Sequence, residues 1–249
     1  MIQKPNLNQN YSPRATLGAR PRGALRKLLG RLLIWRVNPL WYLVVLLGPA
    51  VLVGGAVGLN TLLGGPALSL GNTLLGVVVM WAFFIFPGSA LGEEIGRRGY
   101  ALPRLQTERS ALSASLILAP IWGLWHLPLW LTGAPARTPT LYAAFLVSAF
   151  ALSIITTWVY NSTGGSLLMV VMLHASANVP ITLAIDSLGN RAVVPVLLYW
   201  GMLVVASIVV VIVAGPKHLS RKHKKQEEGG LRSLGSLRLL GLLSQPRVN

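Results

Sequence analysis

Apolar residues fall into six windows, at about 38–59, 72–92, 112–131, 140–160, 165–185 and 193–214, each near the roughly 20 residues needed to cross about 30 Å of hydrocarbon. The polar positions between them carry turn chemistry: LGGPALSLGN after the first window, TGAPARTPT after the third, NSTGG after the fourth and DSLGNR after the fifth. Backbone in lipid must satisfy its own hydrogen bonds, and helices do so within one segment. The pattern therefore predicts an all-α fold, a polytopic membrane helical bundle of about six transmembrane helices. No internal repeat of the solenoid or inverted-repeat kind is visible.

Composition sharpens this reading. Of 249 residues, 53% are hydrophobic and only 11% charged, where a soluble domain carries about a quarter charged. The net charge is +16, and 16 of the 22 Lys and Arg lie before residue 39 or after residue 214. Basic ends on an apolar body fit an anionic membrane surface and not a nucleic-acid-binding face. The chain reads as a basic amphipathic N-terminal arm (1–37), a transmembrane helical domain (38–214) and a basic tail (215–249). The first apolar window follows a long basic arm and exceeds a signal peptide's apolar core, so it reads as a retained span. Cysteine is absent, which excludes a disulfide framework, a thiolate metal site and a cysteine nucleophile.

Loop arginines set the expected orientation. The arm holds eight basic residues, the 93–111 connector four and the tail eight, while the opposite loops hold only Arg137 and Arg191. By the positive-inside rule both termini and the EEIGRRGY connector are cytoplasmic, in a multi-pass protein of the cell membrane. Within the arm, GALRKLLGRLLIWRV puts Leu25, Leu28, Leu29, Leu32 and Leu33 along one helical face, the pattern of an interfacial helix.

An ionisable side chain at membrane depth costs at least about 2.5–3.5 kcal/mol on insertion scales, so each one asks for a reason. Glu93 and Glu94 end the second window, and helical continuation pairs Glu93 with Arg97 and Glu94 with Arg98, four residues on. Helix-end salt bridges are one reading of this pair. The other splits it: one carboxylate is oriented by arginine while its neighbour, about 100° round the helix, faces the interior as a general base. His126 lies in the third window, with Trp122 one turn before it; the tryptophans read as packing and anchoring residues. His174 and Asn178 share a face of the fifth window, separated by Ala175, Ser176 and Ala177, small residues that admit a neighbouring helix. A base, imidazoles and amide donors make up a water-activating hydrolase, and a carboxylate with two imidazoles equally resembles a metal site. Neither H-E-x-x-H nor G-x-S-x-G occurs.

These residues resemble the CPBP intramembrane protease family, also called the CAAX protease or Abi family. Its E-E-x-x-x-R motif is matched by Glu93, Glu94 and Arg98, its F-x-x-x-H motif by His126 with Trp122 for phenylalanine, and its H-x-x-x-N motif by His174 and Asn178. The motif core covers about residues 72–182. The resemblance implies an intramembrane endopeptidase acting on a membrane-associated, CAAX-type prenylated substrate. In it Glu93 activates water with help from His126, His174 and Asn178 stabilise the oxyanion, and Glu94 with Arg98 orients the motif. Both a metal-free mechanism and a divalent metal such as zinc are consistent with it; Glu93, His126 and His174 are the ligands if a metal binds.

Two other classes stay open at this stage. A non-catalytic scaffold or immunity-type protein could share the fold. A metal or proton transporter could use carboxylates and histidines as a relay, although the ionisable residues cluster in the second, third and fifth windows. The implied partners are the bilayer and a membrane-associated peptide or protein.

Overall fold

The computed structural model describes residues 21–67, 74–86, 90–132 and 138–220. Pro87, Gly88, Arg137, the start of the arm and most of the tail lie outside the described residues. All regular structure among the described residues is helical, as expected: α1 (Pro21–Gly30), α2 (Leu40–Leu62), α3 (Leu74–Ile85), α4 (Ala90–Glu94), α5 (Leu102–Leu105), α6 (Ala111–Trp125), α7 (Leu127–Trp130), α8 (Pro139–Ser162), α9 (Leu167–Leu188) and α10 (Val193–Ala214).

Four of these, α2, α8, α9 and α10, are long and apolar enough to cross a membrane, and a fifth crossing results if Leu75–Ile85 and Ala90–Leu105, inclined at 42°, count as one bent span. The chain is a multi-pass membrane protein by this measure. The expected third span is shorter than anticipated. Its helix, α6, has 15 residues, about 22 Å at 1.5 Å each, and ends where His126 and Pro128 open the short helix α7. Among the described residues four or five helices meet this measure, against about six expected.

The second difference concerns the 93–111 connector. The helix does not stop at the glutamates. It continues through a wider π-helical stretch, Ile95–Ala101, and into α5, turning only at residues 106–110. Ser110 then caps α6 by accepting a hydrogen bond from the Ser113 N–H. Glu93 lies about a dozen residues before this turn and Trp122 about as many after its end, so the two antiparallel arms bring them to the same depth, roughly 17 Å from the turn. Charged residues expected in a surface connector thus enter the bundle.

Helix α9 is the centre. Of its most apolar stretch 67% is buried, against 28% for α2 and 22% for α10, whose Leu43, Leu47, Val51, Val205, Ile208 and Ile212 stay exposed as lipid-facing surface. Helix α9 packs on α2, α3, α4 and α8, and α8 packs on α6 and α10. Both described ends of the chain meet at one end of this bundle. The Ser166 hydroxyl donates to the Ile34 carbonyl at 2.7 Å, the Ala111 N–H donates to the Lys217 carbonyl at 2.9 Å, and the Asn161 amide donates to the His218 carbonyl at 2.7 Å.

Candidate active site

The site begins with two adjacent carboxylates on α4. Glu94 is 1% exposed and lies among two guanidiniums and an imidazole: Arg97 Nη2 at 2.6 Å from Oε1, Arg98 Nη1 at 3.3 Å from Oε2, and His174 Nδ1 at 2.9 Å from Oε1. Glu93 Oε2 accepts from Arg97 Nη2 at 2.9 Å and from the Trp122 indole N–H. Both i,i+4 pairs expected from sequence form, and Arg97 bridges the two carboxylates besides.

Arg98 is as buried as Glu94 and is held from the far side. Its Nη2 donates to the Ser153 carbonyl at 3.2 Å and to the Ser153 hydroxyl at 3.0 Å, while that hydroxyl donates to the Ser115 carbonyl at 2.8 Å. The guanidinium thus ties the π-helical segment to α8, and the Ser153 hydroxyl ties α8 to α6. A buried charge is tolerable when paired and hydrogen-bonded in this way.

The imidazoles differ in their anchors. His174 is buried on α9, and because a carboxylate only accepts, its Nδ1–H donates to Glu94 and Nε2 is left on the other side of the ring. His126 is half-buried at the end of α6, where Nδ1–H donates to the Trp122 carbonyl at 2.9 Å; its Nε2 is then the proton acceptor. The Trp122 indole touches both rings, with centroids 5.0 Å from His126 and 5.8 Å from His174, and carries the Arg97 guanidinium over its face at 4.3 Å. Phe145 closes on His126 at 5.3 Å. Asn178 lies one turn beyond His174 on α9, half-buried.

Glu93, Glu94, Arg98 and His174 are therefore gathered from two remote segments, His126 joins through Trp122, and Asn178 lines the same helix face. His174 pairs with Glu94, and Glu93 accepts from the Trp122 indole. Trp122, read from sequence as packing, is a hydrogen-bond donor to the proposed base. Arg97 and Ser153 also escaped the reading as parts of the site. Arg97 had been visible as the i,i+4 partner of Glu93, whereas no local pattern marks Ser153.

A divalent metal fits these side chains poorly. Among the described residues no group of three or more His, Asp or Glu side chains is arranged so as to hold a metal ion. The place where Glu93, Glu94 and His174 meet holds the Arg97 Nη2, 3.5 Å from His174 Nδ1, and a second cation there would be repelled.

Residues 74–180 match the family model described as type II CAAX prenyl endopeptidase Rce1-like. The chain is 29% identical over 101 residues to CAAX prenyl protease 2 of Methanococcus maripaludis, a match that takes in 38% of this chain and 37% of that relative. The chain thus spans little more than a third of the length of that curated relative. All six motif residues fall within the family match.

Proposed function

We propose, on the premise that this chain belongs to the CPBP (CAAX protease) family, that it is an intramembrane endopeptidase hydrolysing a peptide bond near the end of a membrane-associated, CAAX-type substrate. The observation that carries this reading is the meeting of three motif segments, from α4, α6 and α9, around one carboxylate pair. Ion-pair and hydrogen-bond partners as far apart as Glu94 and His174 are costly to assemble in an apolar body, and serve no span-forming purpose.

In this mechanism Glu93 takes a proton from water as the water oxygen attacks the scissile carbonyl. The Trp122 N–H and Arg97, both on Glu93 Oε2, fix the carboxylate against rotation, so that its orientation is set before substrate arrives. His126, with Nδ1–H committed to the Trp122 carbonyl, presents Nε2 to the same water. The tetrahedral intermediate places negative charge on the former carbonyl oxygen. The Asn178 amide, and His174 Nε2 when that ring is protonated, stabilise it. Glu94 holds His174 in place, and Arg98 on Ser153 holds Glu94. Collapse of the intermediate breaks the C–N bond, and the proton taken by Glu93 passes to the leaving amine. Both chain ends lie on the cytoplasmic side in this reading, as the basic arm and tail require.

Cleavage of a panel of fluorogenic prenylated and unprenylated peptides by the purified protein in lipid nanodiscs tests the proposal. Wild type is expected to cleave at least one prenylated peptide. Glu93→Gln, which keeps shape and removes the base, is expected to lower kcat by about 100-fold or more, the scale of general-base loss. Cleavage undiminished in Glu93→Gln refutes the assignment. A well-folded wild type inert across the panel favours the scaffold reading.

A further inference from the structure

The misfit of a divalent metal has a positive counterpart. Arg97 lies outside the motif residues, yet it contacts Glu93, Glu94, His174 and Trp122. Its Nη2 donates to Glu93 and Glu94 at 2.9 and 2.6 Å, sits 3.5 Å from His174 Nδ1, and its Cζ lies 4.3 Å over the Trp122 ring. The three ionic side chains involved are 13%, 11% and 1% exposed. Two carboxylates on adjacent residues repel each other, and in a poorly solvated site the repulsion is strong unless a cation sits between them. The guanidinium also has a donor to spare: Arg97 Nε is buried with no hydrogen-bond partner among the described residues. A buried donor in that state is costly and gains from any acceptor that arrives.

We propose that Arg97 is the resident cation of this centre and takes the place a divalent metal occupies in a metallopeptidase. It keeps Glu93 and Glu94 side by side as carboxylates and, lying over the Trp122 face, holds Glu93 against the indole N–H. Arginine suits this task because its planar group lies flat on the Trp122 ring while a single terminal nitrogen, Nη2, reaches both carboxylates, and because it keeps its charge in poorly solvated surroundings. The charge compensation is permanent and needs no metal uptake.

The kinetic arm of the test rests on the peptidase reading; a metal-binding arm does not. In nanodiscs, with wild-type cleavage and its loss in Glu93→Gln as controls, Arg97→Gln is expected to lower kcat by about 100-fold. KM is expected to change by less than about threefold, because the lost interaction acts mainly in the transition state. Arg97→Lys, which keeps charge but not the planar group stacked on Trp122, is expected to recover about tenfold of that loss. Arg97→Gln retaining wild-type kcat, or Arg97→Lys no better than Arg97→Gln, overturns the inference while leaving the peptidase reading intact. If wild type cleaves nothing, the peptidase reading fails and zinc uptake decides the inference alone. Dialysed against micromolar zinc, wild type is expected to take up none at the site. Arg97→Ala is expected to take up about one zinc per chain, with Glu93, Glu94 and His174 as ligands, and to lose it in Arg97→Ala/His174→Ala. Zinc bound by wild type through Glu93 and His174, or refused by Arg97→Ala as firmly as by wild type, overturns it.

Discussion

At the scale of single residues, the motif histidines and glutamates depend on neighbours whose side chains look like filler in the sequence. Trp122 is the clearest case. One indole donates to Glu93, contacts both imidazoles and lies under Arg97, while its own carbonyl fixes the His126 tautomer. Trp122→Phe keeps the ring and the backbone carbonyl and removes only the N–H. A hydrogen bond to a charged group contributes about 1.5–3 kcal/mol, so kcat/KM is expected to fall about tenfold or more, with His126 unmoved. Kinetics on Trp122→Phe, with Trp122→Leu to remove the ring as well, separates the two roles; equal rates for Trp122→Phe and wild type would reduce the residue to packing. The i,i+4 pairs of Glu93 and Glu94 were legible because helical spacing alone makes them. Which carboxylate meets His174 was not legible, since that depends on how α4 and α9 are rotated against each other. Ser153 was equally hidden: a serine in an apolar window carries no sign that it will cap a buried arginine 55 residues away.

At the scale of elements, what the apolar windows could not reveal is where a helix runs on through charged residues. Glu93 to Arg104 reads as a surface connector by charge, yet the carboxylates and guanidiniums neutralise one another and the helix continues through its π-helical stretch. Helix α1 seats on that stretch at Gly99. A Cβ built at Gly99 would come 2.5 Å from Leu28 Cδ1 and 3.0 Å from Leu167 Cδ1, so the arm lies directly against the residue that follows Arg98. Alanine at 99 gains about 1 kcal/mol of helix propensity but overpacks the notch at roughly 1–3 kcal/mol, and the second effect is expected to win while Leu28 remains. Leu28→Ala alone leaves a gap. In thermal unfolding, Gly99→Ala and Leu28→Ala are each expected to lower Tm, and the double mutant to fall short of their sum by at least about 0.5 kcal/mol, since the new methyl fills the vacated space. Strict additivity would show that the arm is not seated there.

At the scale of the molecule, the asymmetry of charge becomes an asymmetry of place. The ends that hold 16 of the 22 basic residues begin at one end of the bundle, where α1, the 106–110 turn and the segment after α10 converge. Helix α1 and the segment after it turn Leu28 and Leu32 inward on the core and leave Leu25, Leu29, Leu33 and Trp35 exposed, with Arg26, Lys27 and Arg36 also exposed. An exposed apolar flank edged with cations, about ten residues from the start of α2, has the character of a helix lying in the headgroup layer of an anionic leaflet. The absence of cysteine makes this directly measurable. A single Leu33→Cys, labelled with an environment-sensitive fluorophore in nanodiscs, is expected to be quenched by lipids spin-labelled near the headgroup, more so as anionic lipid is added. A label at Lys27→Cys, on the opposite flank of α1, is expected to be quenched instead by a water-soluble agent. Leu33 and Lys27 labels equally exposed to water, whatever the lipid, would show that the arm stands clear of the membrane and that its cations serve only to orient the first span.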